Sequence, residues 1–373
     1  MFENVIDEQR LIDLFLELTS IDAVSLNERK IADVVKKKIV NLNEEPYEDN
    51  CFEIIGGNAG NIFFTVSGDD SKTPILFVAH LDTVSPGINK KPKVHNGRIV
   101  SESDTVLGAD DIGGVSAILD AIRILKEYNI PHRPIEVLFT VAEEIYVKGS
   151  KNFDYSKIKS KEAYVLDLSG QIGKASLREP TLISFKYVVN GKAAHAGFEP
   201  EKGINAISIF AEAVTKIKQG RIDDETTVNI GVVNGGTVTN AVAQNVSFEG
   251  KIRSFVHDNA LKQLEEIKNI FITVAKKYGG TISIEKEEVN LVAYNVKKEE
   301  QVVKNYINAL EKLDITPQFT ETFGGSDNNS LRQNGINGIV LASAMENAHT
   351  VDEYCEIDSL VKLLKIVLSL VTV

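Results

Sequence analysis

Apolar residues recur at helical spacing over residues 8–18 and 28–40, then give way to short, almost unbroken apolar runs at 62–66, 75–78, 135–141 and 163–166. A further helical stretch covers 113–128, between the second and third of these runs. Strands without polar alternation suit a sheet covered on both faces, and their alternation with helices predicts an α/β layer architecture.

A different rhythm begins near Leu177. Residues 181–189 read as a strand, 204–218 as a helix, 227–233 and 246–255 as strands, 259–277 as a helix and 281–289 as a strand. The order β-α-β-β-α-β is the ferredoxin-like split motif, so a self-contained α+β unit interrupts the α/β pattern. That pattern resumes with a helix at 297–313, a strand at 338–343 and a closing helix at 359–370. The expected division is residues 1–176 with 291–373 as one domain and 177–290 as an insertion. There is no internal repeat and no low-complexity segment.

Composition narrows the class. A chain of 373 residues, 43% hydrophobic and 25% charged, is ordinary for a globular protein and long enough for two domains. Its net charge of −12 argues against non-specific binding to nucleic acid or anionic membranes. No apolar run approaches the roughly 20 residues that span a bilayer. The first segment, MFENVIDEQRLIDLFLELTS, is acidic and amphipathic, unlike a secretory signal. Two cysteines, Cys51 and Cys355, are too few for a disulfide scaffold and suit a reducing interior, so a cytoplasmic protein is expected.

Chemistry gathers at five places. His80 and Asp82 (ILFVAHLDTV), Glu143 and Glu144 (VLFTVAEE), Asp167 (AYVLDLSG) and His349 (GIVLASAMENAHTVDE) each follow an apolar run, and Asp110–Asp111 (LGADDIGG) opens a helix. Open α/β sheets bind ligands at the carboxyl ends of their strands, so these groups can converge although far apart in sequence. Imidazole and carboxylate without thiolate suit zinc, with cobalt or manganese as alternatives. His80 and Asp82 are two apart and would point the same way on a strand, which lets Asp82 orient a metal-bound His80; otherwise Asp82 caps a turn. Adjacent Glu143 and Glu144 repel unless a metal takes one, leaving the other to accept a proton from water; the bland reading is a solvated charge pair.

As a set, HLDTV, GADD, AEE, the LD of LDLSG and the late histidine of NAHTVDE resemble the dinuclear zinc peptidases that include peptidase T, glutamate carboxypeptidase and succinyl-diaminopimelate desuccinylase. The resemblance runs over essentially the whole chain and is greatest to the peptidase T-like branch. It implies a catalytic α/β domain with a mixed sheet flanked by helices, an inserted ferredoxin-like lid and dimerisation domain, and two zinc ions per subunit sharing a hydroxide. His80 and Asp167 would hold one zinc, Glu144 and His349 the other, and Asp110 would bridge both. Asp82 would orient His80, and Glu143 would be the general base. One departure stands out: peptidase T relatives follow the aspartate pair with lysine, whereas Ile112 stands here.

The insertion adds further candidates. His195 in GKAAHAG reads on its own as an exposed loop residue; the resemblance implies that it stabilises the tetrahedral oxyanion. Asn240 (GGTVTNAV) and Arg253 (KIRSF) resemble substrate-contacting lid positions. Gly325 and Ser326 lie in GGSDNNSL, a glycine-rich turn that resembles a substrate-binding loop or simply needs positive φ at its glycines. Within the family, aspartate at the position of Asp167 goes with aminopeptidases, and glutamate with carboxypeptidases and deacylases. The expected substrate is therefore a di- or tripeptide with a free amino terminus. An N-acyl amino-acid deacylase or carboxypeptidase is the alternative enzyme, and a catalytically dead interaction scaffold is the non-enzyme alternative. The lid also implies a homodimer through an unpaired edge strand, with His195 acting on the other subunit.

Overall fold

The unbroken apolar runs of the first half form the middle of one sheet in the computed structural model, which describes residues 2–372. The chain divides into two units, and the first comprises Met1–Leu177, Asn295–Glu321 and Ser326–Val373. Its main strands lie in the order Tyr47–Glu48, Ile62–Val66, Ile135–Thr140, Ile75–His80, Glu162–Leu168, Asn337–Ala342 and Lys174–Glu179. The four from Ile135–Thr140 to Asn337–Ala342 run parallel, while Ile62–Val66 and Lys174–Glu179 pair antiparallel on either side. The sheet is mixed, as expected.

Every residue of Ile75–His80 and of Ile135–Thr140 is buried, which explains why neither strand alternates. Leu76, Val78, Leu138, Val165 and Val340 pack with Phe153 and Leu331 in one cluster. Helix Ala109–Glu127 packs against Ile75–His80 and Glu162–Leu168, and also against helices Glu8–Thr19 and Ile357–Val371. Being covered all round, it is buried almost throughout its first four turns and reads as apolar rather than amphipathic. By contrast, Glu8–Thr19 buries one stripe (Leu11, Ile12, Phe15, Leu18), and the Asp7 carboxylate caps its start by accepting from the Arg10 amide.

The second unit is Arg178–Tyr294 with Thr322–Gly325. Its strands lie in the order Gly220–Asp223, Thr226–Gly235, Asn245–Ser254, Thr181–Asn190 and Thr281–Leu291, all antiparallel. Helices Ala206–Val214 and His257–Lys277 pack over them around Tyr187, Phe248, Ile209 and Phe271. The β-α-β-β-α-β order is present, with one extra short edge strand at Gly220–Asp223.

Three differences from the sequence reading have physical causes. The unit ends at Tyr294 rather than 290 and takes in Thr322–Gly325. The Thr322 amide donates to the Arg178 carbonyl, and Phe323 packs on Phe255 with centroids 4.5 Å apart, contacts that a contiguous reading cannot contain. The stretch after Gly325 is not a turn but a helix, Asp327–Gln333, with Ser326 as its N-cap. The Ser326 hydroxyl accepts from the Asn328 amide, and the Asn329 side chain accepts from the Ser326 amide, a reciprocal capping box that offsets weak helix propensity. Neither Gly324 nor Gly325 has the positive φ that would demand glycine. Lastly, a small sheet of Met345–Glu346, Tyr354–Glu356, Arg98–Ser101 and Pro92–His95 was not anticipated, because its strands are short and partly exposed.

Candidate metal centre

Four connections at the carboxyl ends of the parallel strands bring the acidic and histidine residues together. His80 is the last residue of its strand, Glu143 and Glu144 follow Ile135–Thr140, and Asp167 is the penultimate residue of Glu162–Leu168. His349 lies in the loop between the small strands Met345–Glu346 and Tyr354–Glu356.

Asp110 is central. One carboxylate oxygen lies 3.0 Å from His80 Nε2 and the other 3.1 Å from His349 Nε2. His349 Nε2 is also 2.9 Å from Glu144 Oε2, and Asp167 Oδ1 is 3.9 Å from His80 Nε2. Donor atoms of His80, Asp110 and Glu144 lie within 4.8 Å of one another, as do those of His80, Glu143 and Asp167. The Asp110–Asp111 peptide is cis. Gly113 and Gly114 follow because the helix start runs against neighbouring chain. A Cβ on Gly113 would sit 2.4 Å from the Ser343 carbonyl oxygen, and one on Gly114 2.8 Å from Leu166 Cβ. Ile112, the departure noted after the aspartate pair, is fully buried and brings no charge.

Around this centre the residues divide into those facing it and those holding them. The strand ends at His80, so Asp82 is not aligned with it by strand pleating as the two-residue spacing suggested. Instead the Asp82 carbonyl oxygen takes His80 Nδ1 at 2.9 Å, with the carboxylate at 3.5 Å. A hydrogen on Nδ1 leaves Nε2 with its lone pair towards Asp110 and Asp167, the tautomer a metal requires. The Asp82 carboxylate accepts from the Glu143 and Glu144 amides and from Ser25 Oγ. Asp111 accepts from the His80 amide at 3.3 Å rather than facing the centre as a ligand. Two further residues carried no distinctive sequence signal. Glu353 accepts from the Gly108 and Asp110 amides at 2.7 and 3.0 Å, and buried Glu28 accepts from the Ala142 amide at 3.0 Å. Glu353 is four residues past His349, and only its place in NAHTVDE hinted at it.

The electrostatics point to bound cations. Burial pushes Asp111, Glu143 and Asp167 well above the ordinary carboxylate range, and neighbouring carboxylates add to the effect. Glu144 is raised by burial and by Asp110, against the pull of His349. Burial would raise Asp110 too, but hydrogen bonds to His349 and His80 outweigh it and hold its pKa low. His349, bonded to Asp110 and Glu144, is pushed up to about 10. Like charges 4 Å apart at an effective dielectric of about 20 repel by about 4 kcal/mol, so this many clustered carboxylates call for more than two imidazoles. A nitrogen–oxygen donor set fits zinc, and its binding would release the imidazole protons.

The second unit presents the lid candidates. His195 Nδ1 accepts from the Gly197 and Phe198 amides at 3.1 and 3.2 Å, which places the hydrogen of the neutral ring on Nε2. Phe198 stacks on the imidazole with centroids 4.2 Å apart. Exposed Asn240 lends its carbonyl to the Ala196 amide. Arg253, half-buried on Asn245–Ser254, has a buried Nε with no hydrogen-bond partner among the described residues.

Known proteins share this fold. Residues 178–279 match the family described as the peptidase dimerisation domain, and residues 61–201 match peptidase family M28. An uncharacterized Bacillus subtilis protein, YqjE, is 38% identical over 98% of this chain and 99% of its own length. The crystal structure of aminopeptidase PepT from Bacillus cereus is 38% identical, covers 98% of both chains and has a TM-score of 0.92. That of a tripeptidase from Staphylococcus aureus is 33% identical over 98% of both chains, with a TM-score of 0.94. Likeness of this degree, over a sheet whose strand ends carry clustered candidate metal ligands, defines a metallopeptidase. The chain belongs to the peptidase T-like members of the M20 peptidase family. No helix among the described residues is long and apolar enough to cross a membrane.

Proposed function

We propose that the protein is a dinuclear zinc aminopeptidase that shortens di- and tripeptides from a free amino terminus. The observation that carries the metal reading is Asp110, whose two oxygens face two different imidazoles at 3.0 and 3.1 Å. In this reading His80 and Asp167 hold one zinc, Glu144 and His349 the other, and Asp110 is shared. Bound zinc would lower the pKa of a water and polarise the scissile carbonyl. Glu143, buried beside Glu144, takes the proton of the attacking water and passes it to the leaving amine nitrogen. His195 offers its Nε2–H to the developing oxyanion. Half-buried Arg253 would offer its guanidinium to a peptide carboxylate, with Asn240 as a second contact. Gly325 would contribute backbone groups, and Ser326 would hold that loop in place, since its hydroxyl and its amide both serve the helix cap.

The aminopeptidase direction rests on Asp167 and on the names carried by relatives, an aminopeptidase and a tripeptidase. A carboxylate-rich centre also favours an ammonium group over a second carboxylate. Both cysteines are free and buried, in keeping with a cytoplasmic protein. The dimerisation-domain match supports a homodimer through the second unit, with His195 acting on the partner. A mixture of di- and tripeptides, each free or amino-acetylated, tests the substrate, with mass spectrometry reading which terminus is shortened. Loss of cleavage on acetylation is expected; preferential hydrolysis of acetylated substrates would instead make the enzyme a deacylase.

A further inference from the structure

Lys90 and Lys91 are adjacent, yet Lys91 lies in solvent while Lys90 is turned inward and 5% exposed. Its ammonium has no hydrogen-bond partner among the described residues. Burying a charge unpaired is costly, and nothing about the surrounding loop requires it, since Ile88 and Asn89 are exposed. The ammonium lies against Gly108, where a Cβ would come within 2.9 Å of Lys90 Nζ. Gly108 also has a φ of 82°, so its backbone calls for glycine there. Across this point runs Glu353, 2% exposed, with its two oxygens taking the Gly108 and Asp110 amides. Lys90 and Glu353 meet at Gly108, the ammonium 2.9 Å from where its Cβ would be and the carboxylate 2.7 Å from its amide, with no direct ion pair between them. Asp22 is the other carboxylate whose charge reaches Lys90.

We propose that Lys90 is a positioning residue for the metal centre. Its buried charge balances Glu353, which fixes the Gly108 and Asp110 amides and so aims the Asp110 carboxylate between His80 and His349. This rests on the reading of Asp110 as a shared ligand. A group that sets a ligand from behind typically changes metal affinity by about ten- to a hundredfold. It also predicts a combination that a purely structural lysine would not show: removing the charge weakens the metal site while relieving a buried, unpaired ion.

The test is zinc titration of the full-length metal-free protein against a chromophoric chelator, with thermal unfolding of the same samples. Lys90→Met is expected to bind zinc at least about tenfold more weakly and to unfold, metal-free, at an equal or higher temperature. Lys90→Arg should keep most of the affinity. Glu353→Gln should weaken zinc by itself, and adding Lys90→Met to it should cost little more, as for two members of one chain of contacts. Zinc affinity of Lys90→Met within about twofold of the parent overturns the proposal, as does full additivity with Glu353→Gln. If Lys90→Met is not soluble, Lys90→Gln carries the same comparison. Asp110→Asn run in parallel separates the two readings: if it weakens zinc and Lys90→Met does not, the shared ligand stands and only the role of Lys90 fails.

Discussion

The Asp82 carboxylate accepts the Glu143 amide at 2.9 Å, across 61 residues of sequence. Its other oxygen takes the Glu144 amide at 3.2 Å, and the Asp82 carbonyl takes His80 Nδ1 at 2.9 Å. One residue thereby sets the imidazole on one strand end and the two glutamates on the next. Asp82→Asn keeps the carbonyl but gives up one carboxylate acceptor, so it should disturb Glu143 and Glu144 more than His80. Turnover is expected to fall by about ten- to a hundredfold. Kinetics with metal analysis check this, and unchanged kcat would remove Asp82 from the catalytic arrangement.

Glu143→Ala should leave metal content near that of the parent while lowering kcat by at least about a hundredfold, the usual scale for a lost general base. Loss of metal from this variant would instead make Glu143 a ligand, as its proximity to His80 and Asp167 allows.

Asp110→Asn should weaken both metals together, because each carboxylate oxygen faces a different histidine. His349→Ala should release mainly one. Elemental analysis after dialysis distinguishes them, and two zinc ions retained by Asp110→Asn would be incompatible with a shared ligand.

Glu28 gives a pH dependence whose sign can be worked out. Burial, helped by the nearby Asp82 charge, raises its pKa from 4.5 to about 7. Between these values the folded protein holds a proton that the unfolded chain has released, so stability falls as pH rises through the window. The loss attributable to Glu28 is on the order of 3 kcal/mol. Denaturant unfolding of metal-free parent and Glu28→Gln across pH 4.5 to about 7 should show a shallower slope for the variant. Parallel slopes would assign the dependence to other buried carboxylates.

Assembly is testable by mixing. Two inactive proteins, His195→Ala and Glu143→Ala, should regain activity when their subunits exchange, because a mixed dimer then contains one complete site. Exchange is followed separately by mass-tagged subunits. Activity of a stable monomer equal to that of the parent would rule out action across subunits.

Most elements of the catalytic unit were legible because their signal is local. The runs at Ile75–His80 and Ile135–Thr140 are apolar throughout, and a strand buried on both faces can be little else. The helix at Asp327–Gln333 was missed because its stability comes from a capping box and burial rather than propensity. The small strands Pro92–His95 and Arg98–Ser101 were missed although they pair with each other across Asn96 and Gly97, because both are short and partly exposed. Only the pairing of Arg98–Ser101 with Tyr354–Glu356 comes from far along the chain. The place of Thr322–Gly325 in the second unit was hidden by distance along the chain.

At the site, the types of the candidate ligands and, for all but Asp110, their position after apolar runs were determined by the sequence alone, since strand ends are where an α/β sheet exposes side chains to a ligand. Which oxygen of Asp110 faces which imidazole was decided only in three dimensions, as was the use of the Asp82 carbonyl rather than its carboxylate towards His80. So were the buried partners Glu353, Glu28 and Lys90. An isolated Glu or Lys in a polar loop looks the same in sequence whether it is solvated or buried. The distinction lies in desolvation and in backbone amides brought from distant segments, and those exist only once the chain has folded.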